Sequence, residues 1–163
     1  MNKKFYYASF GIAPILCFLM ALVTKFPLDY GCVDISDIAV FVVSAIFGPL
    51  VGLTCGVGVA ISDIVSQQYA VAPFSGVIAS LVGLLCGYLY RYAFSSMHNR
   101  TRKILALLCS AGASMLLWFV ASLLICKDIN ATFLMFMFRA LISLASGLLA
   151  MFILPKNPIE FVD

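Results

Sequence analysis

Charge is scarce in this sequence, and the scarcity decides its class. Only 10% of the 163 residues are charged while 64% are hydrophobic, and the mean hydropathy is +1.11. A soluble domain carries about a quarter charged residues, so the chain reads as an integral membrane protein. The net charge of +3 is small, and the bases sit at the ends of apolar runs. They point to membrane orientation, not to nucleic-acid binding. Histidine occurs once, at His98 in a basic loop, without the acidic or thiol partners a metal site needs. The six cysteines (Cys17, Cys32, Cys55, Cys86, Cys109 and Cys126) form no CxxC pair. That argues against a zinc site or disulfide framework and leaves them as small packing residues. GxxxxGK[ST], HExxH and GxSxG motifs are also missing. The chain is therefore expected neither to hydrolyse ATP nor to be an enzyme, and no cofactor is expected.

What is present is a series of apolar runs: Phe5–Val23, Ile38–Ile61, Phe74–Tyr90, Ile104–Ile125 and Phe133–Leu154. A spanning helix needs about 20 apolar residues. Lys3 and Lys4 ahead of the first run suggest a signal peptide, but the run is long for one and is read as the first span. The second run is bounded by Ile-Ser-Asp at 35–37 and again at 61–63, with Gly48-Pro49 at its centre. It is either one span or a hairpin. Charge chooses between them. A hairpin places Lys3, Lys4, Arg91, Arg100, Arg102, Lys103 and Lys156 on one side and only Lys25 and Lys127 on the other, as the positive-inside rule requires. Pro49 also disfavours helix at Gly48. The expected fold is an all-α, compact six-transmembrane-helix bundle with both termini inside. It forms one domain over 1–163, with helices near 5–25, 36–48, 49–66, 73–92, 103–126 and 131–154. The hairpin is expected to bring Asp37 and Asp63 to one outer level.

Small residues recur every fourth position in three helices: Gly48, Gly52, Gly56 and Ala60; Ala79, Gly83 and Gly87; and Ser9, Ala13, Cys17 and Ala21. This spacing lets membrane helices approach closely. The two glycine stripes read as internal packing, while the first-helix stripe is open to another use.

A charged group inside a membrane is a functional candidate by default. Arg139 lies well inside the last run, and an antiparallel pairing of the last two helices puts Trp118 at similar depth. Asp34, Asp37, Asp63, Gln67, Gln68, Tyr69 and Phe74 approach from the other outer segments, with Asp29 and Asp128 further out. Together they form a candidate small-ligand site: an aromatic plate, amides, carboxylates and one guanidinium in apolar surroundings. The plainer alternative pairs Arg139 with Asp63 or Asp37 to hold helices together, and packs Trp118 as core.

The order of DISDIAVF at 34–41, FGPLVG at 47–52, a Gly-rich helix ending in Ser62-Asp63, and GLLCGYLYR at 83–91 resembles the substrate-binding S components of energy-coupling factor (ECF) vitamin transporters. LWF at 117–119 and FRALISL at 138–144 resemble their folate and hydroxymethylpyrimidine branches. The resemblance implies a cell-membrane, multi-pass subunit that captures a vitamin or vitamin precursor. It also implies docking onto a transmembrane coupling subunit and two ABC ATPases. The family's docking signature on the first helix falls on Ser9, Ala13, Cys17 and Ala21, where only two of the four are alanine. The site residues expected from this polar set are Asp34, Asp37, Asp63, Gln67, Tyr69, Phe74, Trp118 and Arg139. The first outer loop, LDYGCVDISD, has three acids and no base, unlike folate-type members. A neutral or cationic heterocycle is therefore expected over an anionic one, and riboflavin stays open. The alternative is a stand-alone secondary transporter using an Arg/Asp relay, though no inverted helix repeat supports it.

Overall fold

The computed structural model describes residues 3–28, 31–125 and 129–154. Asp29, Cys126, Lys127, Asp128 and Lys156 lie outside the described residues. The helices are α1 (Lys3–Val23), α2 (Asp37–Phe47), α3 (Pro49–Val65), α4 (Ala72–Tyr88), α5 (Asn99–Ile125) and α6 (Ile129–Ile153). A π-helical turn, Leu89–Ala93, extends α4. Between α1 and α2 the chain forms an antiparallel ribbon, β1 (Phe26–Leu28) with β2 (Gly31–Val33), in which Leu28 faces Gly31. The all-α expectation missed this ribbon, because three-residue strands carry too few positions to show a period.

The chain turns between α2 and α3. Gly48 sits at φ +100°, in the region that favours glycine, and Pro49 takes the first position of α3, where a missing amide costs little. The π turn directs Arg91 onto this corner. Arg91 Nη2 donates to the Ile46 carbonyl, one of the orphan carbonyls at the end of α2. The basic residue and the Gly48 turn therefore share one end of the bundle. At the same end, Lys103 Nζ donates to the Leu154 carbonyl beyond the end of α6, at 2.7 Å, and the Arg102 guanidinium lies 4.7 Å from the Tyr90 ring centroid.

The shortest helix is the central one. α2 packs on α1, α3, α4 and α6, and none of its residues is exposed. α3 lies against α4 and α1, and α5 pairs with α6. The glycine stripes allow this closeness. A Cβ on Gly52 would overlap the Gly83 carbonyl, one on Gly56 the Gly76 carbonyl, and one on Gly58 the Pro14 carbonyl of α1.

Outward faces are apolar throughout, with exposed Ile15 and Leu19 on α1, Val77 and Leu81 on α4, Leu116 and Leu124 on α5, and Leu141 and Leu148 on α6. Such a surface has no stable place in water. Four segments are long and apolar enough to cross a membrane: Tyr6–Val23, Ala72–Ala93, Asn99–Ile125 and Thr132–Ile153. α2 and α3 are shorter apolar helices, which corrects the expectation that Asp37 and Asp63 share a level. At 1.5 Å per residue, Asp37 stands about 16 Å along α2 from Gly48 and Asp63 about 22 Å along α3. Asp37 is thus recessed within the bundle.

Candidate functional site

Opposite the Gly48 end, the start of α2 meets the middle of α5 and α6. Asp34 is buried and folds back on its own backbone, its Oδ1 accepting the Ser36 amide at 2.9 Å. Its other oxygen, Oδ2, faces Arg139 Nη1 at 3.7 Å. The Arg139 guanidinium is stacked over the indole of Trp118, 3.9 Å from the ring centroid, and both side chains are buried. Cation–π contact of this kind gains strength when water is excluded. Asp37 Oδ2 accepts a long hydrogen bond from Ser114 Oγ at 3.4 Å. Ser143, one turn along α6 from Arg139, approaches the same carboxylate without closing a hydrogen bond. Two carboxylates, one guanidinium, one indole and two hydroxyls therefore converge. Arg139 balances one of the two negative charges.

Asp63 belongs to a separate cluster. Its Oδ1 accepts from Lys25 Nζ at 2.6 Å and its Oδ2 from the Ser75 hydroxyl, while Lys25 also donates to the Ser62 carbonyl at 3.2 Å. This ties together the ends of α1, α3 and α4. Thr24 Oγ1 accepts the Ile35 amide at 3.1 Å and links the end of α1 to the segment leading into α2. Arg139 has Asp34 as an ion-pair partner at 3.7 Å, and the Asp63 considered for a simple helix brace is instead neutralised by Lys25.

Gln67 and Tyr69 are exposed on the turn between α3 and α4, with Gln67 at φ 61° just past the helix end. Phe74 is partly buried against the core cluster that contains Trp118. The structure brings Asp34, Asp37, Trp118 and Arg139 together. It leaves Asp63 in its own ion pair and Gln67 and Tyr69 at the rim.

The docking assignment on α1 does not fit the fold. Ser9, Ala13, Cys17 and Ala21 are all buried. α1 packs chiefly on α3, and Cys17 lies beside Cys55 of that helix. Small residues every fourth position serve close approach inside the chain, as in the other two stripes. The outward face of α1 is instead Tyr7, Ile12, Ile15 and Leu19.

Sequence reasoning missed Lys25, Ser75, Ser114 and Ser143. A signal existed for two of them. Ser114 stands four residues before Trp118, and Ser143 four after Arg139, so each polar pair shares a helix face.

The fold and site define a class: a multi-pass membrane bundle with a recessed polar cluster at one end and no catalytic constellation among the described residues. The family model for the ECF-type riboflavin transporter S component matches residues 1–155. The chain belongs to that family. It is a vitamin-binding subunit of an ECF transporter, a membrane protein and not an enzyme. The matching family is the riboflavin one, not the folate or hydroxymethylpyrimidine branch suggested by LWF and FRALISL. Those short segments are stretches of apolar helix carrying Trp118 and Arg139. Comparisons with curated proteins and with solved structures find no match.

Proposed function

We propose that this subunit captures riboflavin or a closely related flavin in the pocket formed by Asp34, Asp37, Ser114, Trp118, Arg139 and Ser143. The convergence of Arg139, Trp118 and two acidic groups at the recessed start of α2 carries the reading. A flavin is a neutral, planar heterocycle with carbonyl acceptors, one ring N–H and a polyhydroxylated chain. Carboxylates accept from hydroxyls and the ring N–H, the guanidinium donates to ring carbonyls, and aromatic faces stack. The acid-rich stretch 28–37 before α2, whose neighbouring base Lys25 is already paired with Asp63, also suits a neutral ligand over an anionic one. Gln67, Tyr69 and Phe74 complete the rim of the site in this reading, and Asp63, paired with Lys25, holds the neighbouring helix ends beside it.

In the bilayer, six helices cross or enter the membrane, both termini face the cytoplasm and the pocket opens outward. Transport requires a transmembrane coupling subunit and two ABC ATPases. The Asp34–Arg139 pair is also what a stand-alone secondary transporter would use as a relay. Riboflavin uptake that persists without the coupling subunit would favour that alternative.

Purified protein titrated with riboflavin is expected to quench flavin and Trp118 fluorescence with a submicromolar Kd. Trp118→Ala should weaken binding roughly tenfold, the equivalent of about 1.4 kcal/mol of lost stacking. Absence of binding at micromolar riboflavin would overturn the assignment.

A further inference from the structure

One helical turn inward from Trp118 and Arg139, three oxygen-bearing side chains meet: Asp37 at the start of α2, Ser114 on α5 and Ser143 on α6. A serine inside a helix commonly satisfies itself on the carbonyl four residues back. Ser110 and Ser122, the neighbouring serines of α5, do so at 2.7 Å. Ser114 instead turns to Asp37, and its Oγ stands 3.4 Å from Oδ2. Ser143 Oγ is buried beside the same carboxylate and has no hydrogen-bond partner among the described residues. An O–H···O bond spans about 2.5–3.0 Å. Two oxygens on adjacent positions of a metal shell, each about 2.4 Å from the ion, stand about 3.4 Å apart. The Asp37–Ser114 separation fits the second description.

Charge points the same way. Asp34 and Asp37 bring two negative charges, and Arg139, paired with Asp34, brings one positive. Asp37 itself makes no ion pair among the described residues. The N-terminus of α2 adds only about half a positive charge. One monovalent cation closes the balance, whereas a divalent ion overshoots it. No three His, Cys, Asp or Glu side chains gather to hold a metal among the described residues. One carboxylate with two hydroxyls is a hard oxygen donor set, unsuited to a soft transition metal.

We propose that Asp37, Ser114 and Ser143 bind a sodium ion, with waters or ligand oxygens filling the rest of its shell. Sodium nearly matches calcium in radius, so the oxygen separation suits it, while potassium needs longer bonds. Asp37 keeps partial exposure, which leaves the ion a route in. Ser146, buried and without a partner on the same face of α6, holds one of the waters. Phe41, one turn further along α2 and fully buried, closes the site below. The ion forms the floor of the proposed flavin pocket, but its binding does not rest on a flavin being the ligand.

The test uses the full chain, purified in mild detergent without flavin. Thermal unfolding is followed in sodium, potassium and choline chloride at equal ionic strength and fixed pH, and bound radioactive sodium is counted. Sodium should raise the unfolding temperature progressively with the logarithm of its concentration. Potassium should act less and choline not at all. Ser143→Ala should raise the half-saturating sodium concentration about tenfold, and Asp37→Asn should abolish the response. Ser143→Ala keeps the test readable if the Asp37 change impairs folding. Ser122→Ala, whose hydroxyl is spent on the Trp118 carbonyl, should respond as the parent does. Equal stabilisation by sodium and choline overturns the proposal, as does a sodium response that survives Asp37→Asn or is unchanged in Ser143→Ala. Asp37→Asn more stable than the parent in every salt, with no sodium-specific shift, would assign a proton to Asp37 and overturn it too. Riboflavin is titrated separately: failed riboflavin binding with the sodium response intact removes the flavin reading alone, and the converse removes the ion alone.

Discussion

Arg139 acts on three neighbours at once: the Asp34 carboxylate, the Trp118 ring and, through space, Asp37. Removing it leaves buried carboxylates without compensating charge. Arg139→Gln should therefore destabilise the bundle by about 3–5 kcal/mol, the usual cost of breaking a buried pair from one side. Thermal unfolding measures this, and adding Asp34→Asn should restore part of the loss. A partner other than Asp34 would leave the double variant no better than the single. At this scale the sequence located Arg139 and Trp118 well. Both sit in apolar runs joined by a short connection, so antiparallel packing puts them at one depth. It did not identify the carboxylate that meets the guanidinium. That depends on the rotation of α2 about its own axis and on Lys25 having already taken Asp63.

Among the elements, α3 is held by close backbone approach on two sides. Gly56→Val would drive its side chain into the Gly76 backbone of α4, where no flexible group can yield. Overpacking of this kind costs about 1–3 kcal/mol or more, so a sharp fall in folded yield and unfolding temperature is expected. Gly112 has nothing within 4 Å of its Cβ position. Gly112→Ala should instead be neutral or raise stability by up to about 1 kcal/mol. If both variants behave alike, the close α3–α4 contact is wrong. Four-residue spacing revealed that such contacts exist, but not which helix receives them. The same spacing on α1 suggested a docking face, yet it is buried toward α3. A stripe of small residues says only that something comes close.

The whole bundle has one end that gathers Arg91, Arg100, Arg102 and Lys103 and another that gathers Asp34, Asp37, Asp63 and Arg139. If the basic end is cytoplasmic, Tyr69→Cys should react with a membrane-impermeant maleimide added to intact cells. Ser96→Cys should react only after permeabilisation. Both positions are exposed, and the six native cysteines, the exposed Cys109 among them, would be replaced first. The reverse pattern would invert the proposed topology.

The sequence by itself determined the membrane class, the helix count and the turn at Gly48, because apolar length, charge bias and Pro-Gly chemistry are local properties. It also held enough order along the chain for the vitamin-transporter family to be recognised. Tertiary structure alone decided that the shortest helix lies at the centre, that Asp37 is recessed while Asp63 is tied to Lys25, and that Asp34 meets Arg139 over Trp118. These are distances between residues far apart in the chain. Helix length and rotation set them, and no spacing within a single run encodes them.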